Sequence, residues 1–195
     1  MSLLVLNSIH SFFYIMKKHI TPELILSEGF EECQGRYGGR AFIKPITSVM
    51  YDGSFTVYED CFNYSYFAHR TDNDTHVAFS SIDMTTADFN KLVCALGVPE
   101  IALSDNVFRG AEGGTTLTKE KLISKGWECK EVNTTYDRWH VCTGNKLTVT
   151  FGPGRTDVSY TDYSQHLCID IQQPKMTEEA FNTICDVFGM SKDKI

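Results

Sequence analysis

The sequence predicts an α+β protein made by tandem duplication. Each unit is a helix, three or four antiparallel strands and a second helix, the two units being related by a pseudo-twofold axis. Three observations predict it. The run Ile20 to Glu31 (ITPELILSEGFE) recurs at Leu117 to Glu128 (LTKEKLISKGWE), an offset of 97. A second block, Met84-Thr85 with Phe89-Asn90 and Gly97, recurs as Met176-Thr177 with Phe181-Asn182 and Gly189, an offset of 92. Self-similarity at a nearly fixed spacing marks repeated units, and the two offsets leave five extra residues inside the first copy. Between the blocks, both copies carry short runs rich in aromatic and β-branched residues, punctuated by turn formers.

Residues 1–18 read as an N-terminal extension. Ser2 to Ile15 is apolar but too short to span a bilayer, and its basic residues, Lys17-Lys18, follow the apolar run instead of preceding it as in a secretory signal. Met16 is a second plausible start, so residues 1–15 are expected to be dispensable for folding; a segment packed on the body is the alternative.

The first unit, 19–104, opens with Thr21 as N-cap, Pro22 at the first helical position and Gly29 as terminator, after which Phe30 turns back on the core. Strands are predicted at Ala41 to Ile46, Ser54 to Tyr58, Asn63 to Ala68 and His76 to Ser80, separated by turns that include Asp52-Gly53 and Asp72-Asn73-Asp74. Thr85 caps a closing helix whose Phe89, Leu92, Val93 and Leu96 fall at i, i+3, i+4 and i+7, with Gly97 ending it. Residues 105–115, rich in glycine, form the linker.

The second unit, 116–195, repeats this plan. Thr118, Gly126 and Trp127 stand for the first helix and its end. The strands are Arg138 to Cys142, Lys146 to Phe151, Asp157 to Tyr160 and Leu167 to Ile171, the first two joined at Thr143-Gly144-Asn145. Thr177 caps a helix presenting Phe181, Ile184, Cys185 and Phe188, and Gly189 ends it. Units this small approach the lower limit for independent stability, so the two are expected to pack on each other.

Of 195 residues, 42% are apolar and 22% charged, the profile of a soluble globular chain. Eighteen Lys+Arg against 25 Asp+Glu give a net charge of -7, which excludes the broad positive field of a general nucleic-acid binder. The charge is unequal: residues 19–104 hold 5 basic and 12 acidic side chains, residues 116–190 hold 8 and 10. Seven cysteines without a CxxC pair read as reduced thiols in a cytoplasmic protein. Three N-x-S/T sequons, at Asn63, Asn73 and Asn133, matter only for a secreted chain.

The opening motif of each unit, Thr-x-Glu, then Leu or Ile, then Ser-x-Gly-(Phe/Trp)-Glu, resembles that of small uncharacterised proteins common in phages and mobile elements of gut Bacteroidetes. The resemblance covers about a dozen residues per unit. It implies an intracellular bacterial or phage setting, as for an accessory protein, and carries no activity.

His140-Val141-Cys142 and His166-Leu167-Cys168 are both H-x-C pairs on predicted strands. Residues i and i+2 share a strand face, so two neighbouring strands would bring together a Cys2His2 set, or a thiolate activated by an imidazole with Asp162 or Asp170 behind it. The alternative is small buried thiols with histidines at the rim. Gly35-Arg36-Tyr37-Gly38-Gly39-Arg40 suits an anion nest with two guanidiniums, or a plain connection. Tyr64 and Tyr66 share one strand face and suit a protein interface.

The function predicted is therefore non-enzymatic binding of a protein or small-molecule ligand, through a sheet face or the cleft between units. No cofactor, metal, membrane or general nucleic-acid partner is expected. The candidate binding residues are Arg36, Arg40, Glu59, Asp60, Tyr64 and Tyr66, which places recognition in the first unit. The alternatives are a Cys/His-dependent or metal-dependent hydrolase in the second unit and a virion structural component.

Overall fold

The computed structural model describes residues 20–35, 39–48, 51–59, 64–70, 75–81, 84–98, 101–103, 114–134, 137–165 and 167–195; over 46–48, 51–55, 58, 64–70, 75–76 and 80–81 the description is of the backbone. The elements are α1 (Pro22–Ser27), β1 (Glu31–Gln34), β2 (Arg40–Ser48), β3 (Tyr51–Glu59), β4 (Tyr64–Arg70), β5 (Thr75–Ser81) and α2 (Thr86–Ala95). They are followed by α3 (Lys119–Ser124), β6 (Glu128–Asn133), β7 (Arg138–Thr143), β8 (Thr148–Gly152), β9 (Arg155–Asp162), β10 (Leu167–Gln173) and α4 (Glu178–Val187). The chain is α+β.

All four helices are delimited by the same local chemistry. Thr21, Thr85, Thr118 and Thr177 sit in extended backbone and accept the N–H of Leu24, Asp88, Lys121 and Ala180 respectively, which satisfies one otherwise orphaned donor in each first turn. Gly29, Gly97, Gly126 and Gly189 follow the last turns with φ of 82, 73, 88 and 66°. Only glycine adopts this left-handed backbone without a Cβ penalty. The next residue, Phe30, Val98, Trp127 or Met190, donates its N–H back to the carbonyl of Ile25, Val93, Leu122 or Cys185, closing a Schellman motif in each case. All four of those side chains are buried, so each helix end is also a packing anchor.

Among the described residues the strands form one ten-stranded antiparallel sheet in the order β1-β2-β3-β4-β5-β10-β9-β8-β7-β6. Each half therefore contributes five strands, one more than the sequence suggested. The extra ones, β1 and β6, are the two edges. Glu31, Glu32, Glu128, Lys130 and Glu131 lie on them, and charges there discourage edge-to-edge association. Asp52-Gly53, expected as a turn, lies within β3, opposite Thr47 and Ile46 of a long β2.

The two units, expected to pack on each other, meet edge to edge in the sheet and side by side in the helical layer. β5 and β10 pair from Cys168↔Ser80 to Gln172↔His76, and the helices lie on one face of the result. Phe42, Val57, Val77, Phe79, Cys142, Val149, Val158, Ile169 and Ile171 point to that face and are buried beneath Phe89, Leu92, Val93, Phe181 and Ile184 of α2 and α4. Helices α2 and α4 pack side by side over the join. There Phe79 meets Phe89 and Phe188 at centroid distances of 6.1 and 5.9 Å. The buried Gln173 amide donates to Leu96 O at 2.7 Å, spanning the join with a satisfied polar contact.

Cys129 and Cys142 lie directly opposite on β6 and β7 and are disulfide-bonded, which corrects the expectation of seven free thiols. Cys33, Cys94, Cys168 and Cys185 are free. Burial pushes the Cys185 thiol up to about 12, with the charges of Asp193 and Asp186 adding to the effect, so it is an inert core group. The disulfide closes a loop of sequence separation 13. Chain-entropy considerations assign such a closure about 2–3 kcal/mol. A Cys129→Ser/Cys142→Ser variant is accordingly expected to melt lower than the oxidised protein, and the same shift should follow addition of a reductant in calorimetry.

Candidate functional site

The residues singled out in the sequence do not assemble into one site. Arg36, Asp60 and His166 lie outside the described residues, as do 1–18 and most of the linker. Tyr64 and Tyr66 are on β4, paired with Glu59 and Val57. Arg40 and Glu59 do come together, opposite one another on β2 and β3, but as partners. The Arg40 guanidinium takes Glu32 in a two-pronged pair at 2.8 and 3.1 Å and Glu59 at 3.3 Å. Its charge is thus met by two carboxylates; residues 36–38 of the glycine-rich loop lie outside the described residues. The pairing holds the Glu32 carboxyl below its usual range through the Arg40 hydrogen bond.

The H-x-C pairs are also separated. Cys142 is bound to Cys129, and β8 and β9 lie between its strand and β10, which carries Cys168. At about 4.8 Å per strand, the two thiols sit three strand spacings apart, too far for one metal or one catalytic pair. Among the described residues no group of three His, Cys, Asp or Glu side chains is placed to hold a metal.

The surface that stands out is the sheet face opposite the helices. Over β7–β10 every described side chain on it is at least partly exposed: Trp139 and Val141, Thr148 and Thr150, then Arg155, Asp157, Ser159 and Thr161, then Cys168, Asp170 and Gln172. In the first half this face is closed at Ala41 and Thr56, which are 1% and 7% exposed.

The organisation of the open region begins with a glycine. A Cβ at Gly152 would run into the Trp139 ring, so its absence lets the indole lie flat over the strand. The Arg155 guanidinium caps that ring at 4.9 Å, a cation–π contact, and reaches Asp157 Oδ2 at 3.3 Å. Asp157 is across from Thr150 on β8 and Gln172 on β10, with its side chain only 16% exposed. Its Oδ1 is fully covered and accepts no hydrogen bond from the protein. Asp170, diagonal to it on β10, adds a second negative charge.

Burial raises the Asp157 pKa, and repulsion from Asp170 raises it further; attraction to Arg155 opposes both without cancelling them. The sign for stability follows. With the folded pKa above the unfolded one, this carboxyl favours the folded state only where it is protonated, and that contribution is lost as pH rises through the folded pKa. Ionised Asp157 is then a net cost at neutral pH. Asp157→Asn is expected to raise the melting temperature at pH 7, and the gain should shrink as pH is lowered through the carboxylate range in a melting series.

Asp157 was not among the residues singled out in the sequence, and Asp170 stood there only as a group behind an imidazole in the Cys/His reading. The available signal was the alternation along β9, where Arg155, Asp157, Ser159 and Thr161 occupy one face and Thr156, Val158 and Tyr160 the other. No family model, curated protein or solved structure matches this chain. No helix among the described residues is long and apolar enough to cross a membrane.

Proposed function

We propose that the protein is a non-enzymatic binding module, made by tandem duplication, that recognises a protein segment on the open face of β7–β10 through Asp157 and Asp170. The single observation that carries this is Asp157: a carboxylate oxygen that is covered, unpartnered and costly to ionise, on the face the helices leave bare. The Asp157 side chain keeps an accessible edge, 16% exposed, beside the second negative charge of Asp170, in a site where ionisation is disfavoured by burial. A lysine or arginine of a partner segment approaching that edge balances the local charge, in keeping with the net charge of -7. The flat Trp139–Arg155 stack offers adjacent contact area at low entropic cost.

The duplication is supported by the pairing register. An offset of 92 maps Val77, Ala78 and Phe79 onto Ile169, Asp170 and Ile171. The observed pairs Val77↔Ile171 and Phe79↔Ile169 exchange under that mapping while Ala78↔Asp170 maps onto itself, as a pseudo-twofold through that pair requires. The five extra residues of the first copy are accounted for too. Phe42 to Val57 spans fifteen positions where Cys142 to Val149 spans seven, and Glu32 to Phe42 spans ten where Cys129 to Cys142 spans thirteen. The cytoplasmic setting expected from free thiols loses that support with the Cys129–Cys142 bond.

The test is selection of peptides from a random display library on the immobilised protein. Enriched peptides are expected to carry Lys or Arg, and their affinity should fall at least tenfold on Asp157→Lys or Asp170→Lys. Peptides without basic residues, or with affinity indifferent to both changes, would contradict the assignment.

A further inference from the structure

The join between the halves brings a second set of residues together, where β4 and β5 meet β10. Val77 and Phe79 of β5 are buried beneath the helices, so by alternation His76 and Ala78 belong to the opposite sheet face. His69 of β4 pairs with His76 and shares that face. Of both histidines the structure describes the backbone, and the register is what places them.

On its other side β5 pairs with β10, where Gln172 stands opposite His76 and Asp170 opposite Ala78. Asp170 is thus a diagonal neighbour of His76. Directly opposed residues of antiparallel strands have Cβ atoms about 5 Å apart, and diagonal ones about 7–8 Å. Two histidines and an aspartate within that span, on three adjacent strands, make up the nitrogen and oxygen donor set of a three-ligand zinc site. Ala78 and Asp170 are both partly exposed, and the one-carbon side chain of Ala78 adds no bulk beside the carboxylate.

The sheet itself does not call for histidine at these places. An offset of 92 maps His69 and His76 onto Thr161 and Cys168, which pair with each other on β9 and β10 as the histidines do on β4 and β5. The same strand positions are therefore filled in the second half without an imidazole. The local charge also favours a cation. Asp157 lies in the row of His76, one strand beyond Gln172, and a cation relieves the repulsion between Asp157 and Asp170.

We propose that His69, His76 and Asp170 bind a divalent transition-metal ion of the zinc class, two imidazoles and one carboxylate leaving a fourth position open. The proposal goes beyond the open-face function, with which it shares Asp170, and runs against the expectation that no metal binds.

The experiment is a calorimetric titration of the chelator-stripped full chain with zinc chloride alone. Saturable binding of one zinc per chain is expected, with a rise in melting temperature on zinc addition. His69→Ala, His76→Ala and Asp170→Asn should each weaken binding at least tenfold, while Cys168→Ser, which removes the free thiol of β10, leaves it unchanged. Cobalt in place of zinc gives a readout that needs no variant: the wild-type spectrum should show the visible bands of nitrogen and oxygen ligands and no thiolate charge-transfer band. Absence of saturable binding overturns the proposal, as does binding that survives both histidine changes or that carries a thiolate band. The titration contains no peptide, and His69 and His76 lie outside β7–β10, so its failure is distinguishable from failure of the open-face reading.

Discussion

Phe79→Ala is expected to lower the stability of the whole chain by about 3–5 kcal/mol, the usual cost of emptying a well-packed aromatic site. Phe79 lies at the join, next to its central Ala78↔Asp170 pair: it sits on β5 opposite Ile169 of β10, is almost completely buried, and touches Phe89 of α2 and Phe188 beside α4. Its removal takes contacts from both halves at once. The two halves share a sheet and a helical layer, so the loss should appear as a downward shift of one cooperative transition in calorimetry or denaturant melts. A first half that melts early while the second remains at the wild-type temperature would mean that the join is not a packed core.

The second large effect is expected at Asp193, a residue the sequence analysis did not single out. This carboxylate is fully buried, and it accepts the Asn145 N–H at 2.6 Å and the Lys146 N–H at 3.1 Å. It thereby fastens the C-terminal 3-10 turn, Ser191–Asp193, to the β7–β8 connection. Hydrogen bonds to an ionised acceptor contribute about 1.5–3 kcal/mol each, and their loss leaves two backbone donors unsatisfied. Asp193→Ala is expected to cost about 3 kcal/mol, and Asp193→Asn less because one acceptor remains. Exchange of the Asn145 and Lys146 amides with deuterium should accelerate by orders of magnitude in the alanine variant. Unchanged protection there would show that the turn is held by its own geometry.

The parts of this fold that were legible in the sequence are those fixed by neighbours in the chain. Four threonine caps and four left-handed glycines define the helices locally, and each is readable from a few residues. The inner strands are likewise visible, because their apolar residues alternate with polar ones at the spacing of one buried face. The edge strands β1 and β6 were not legible: EECQ and ECKEVN are charged and mostly exposed, and only pairing with β2 and β7 makes them strands. Asp52-Gly53 has turn chemistry but is drawn into β3 by the length of the β2–β3 hairpin.

The candidate site was less legible for the same reason. That Arg155 and Asp157 share a strand face follows from alternation; which face the helices leave bare depends on a strand order that joins β5 to β10. The Cys129–Cys142 bond depends on a register, and Arg40 looked like a free cation because Glu32 and Glu59 approach it only when three strands align. Long-range pairing decided each of these, and no run of neighbouring residues encodes it.

The most direct test of the central claim, that the bare face of β7–β10 is the recognition surface, is a methyl NMR titration with a basic peptide from the display selection. The methyls of Val141, Thr150 and Ala78 point to the bare face, and those of Val149, Val158 and Ile169 point to the helices. The prediction is that the first set shifts and saturates with the peptide while the second stays in place. Shifts confined to the second set, or to α2 and α4, would contradict it.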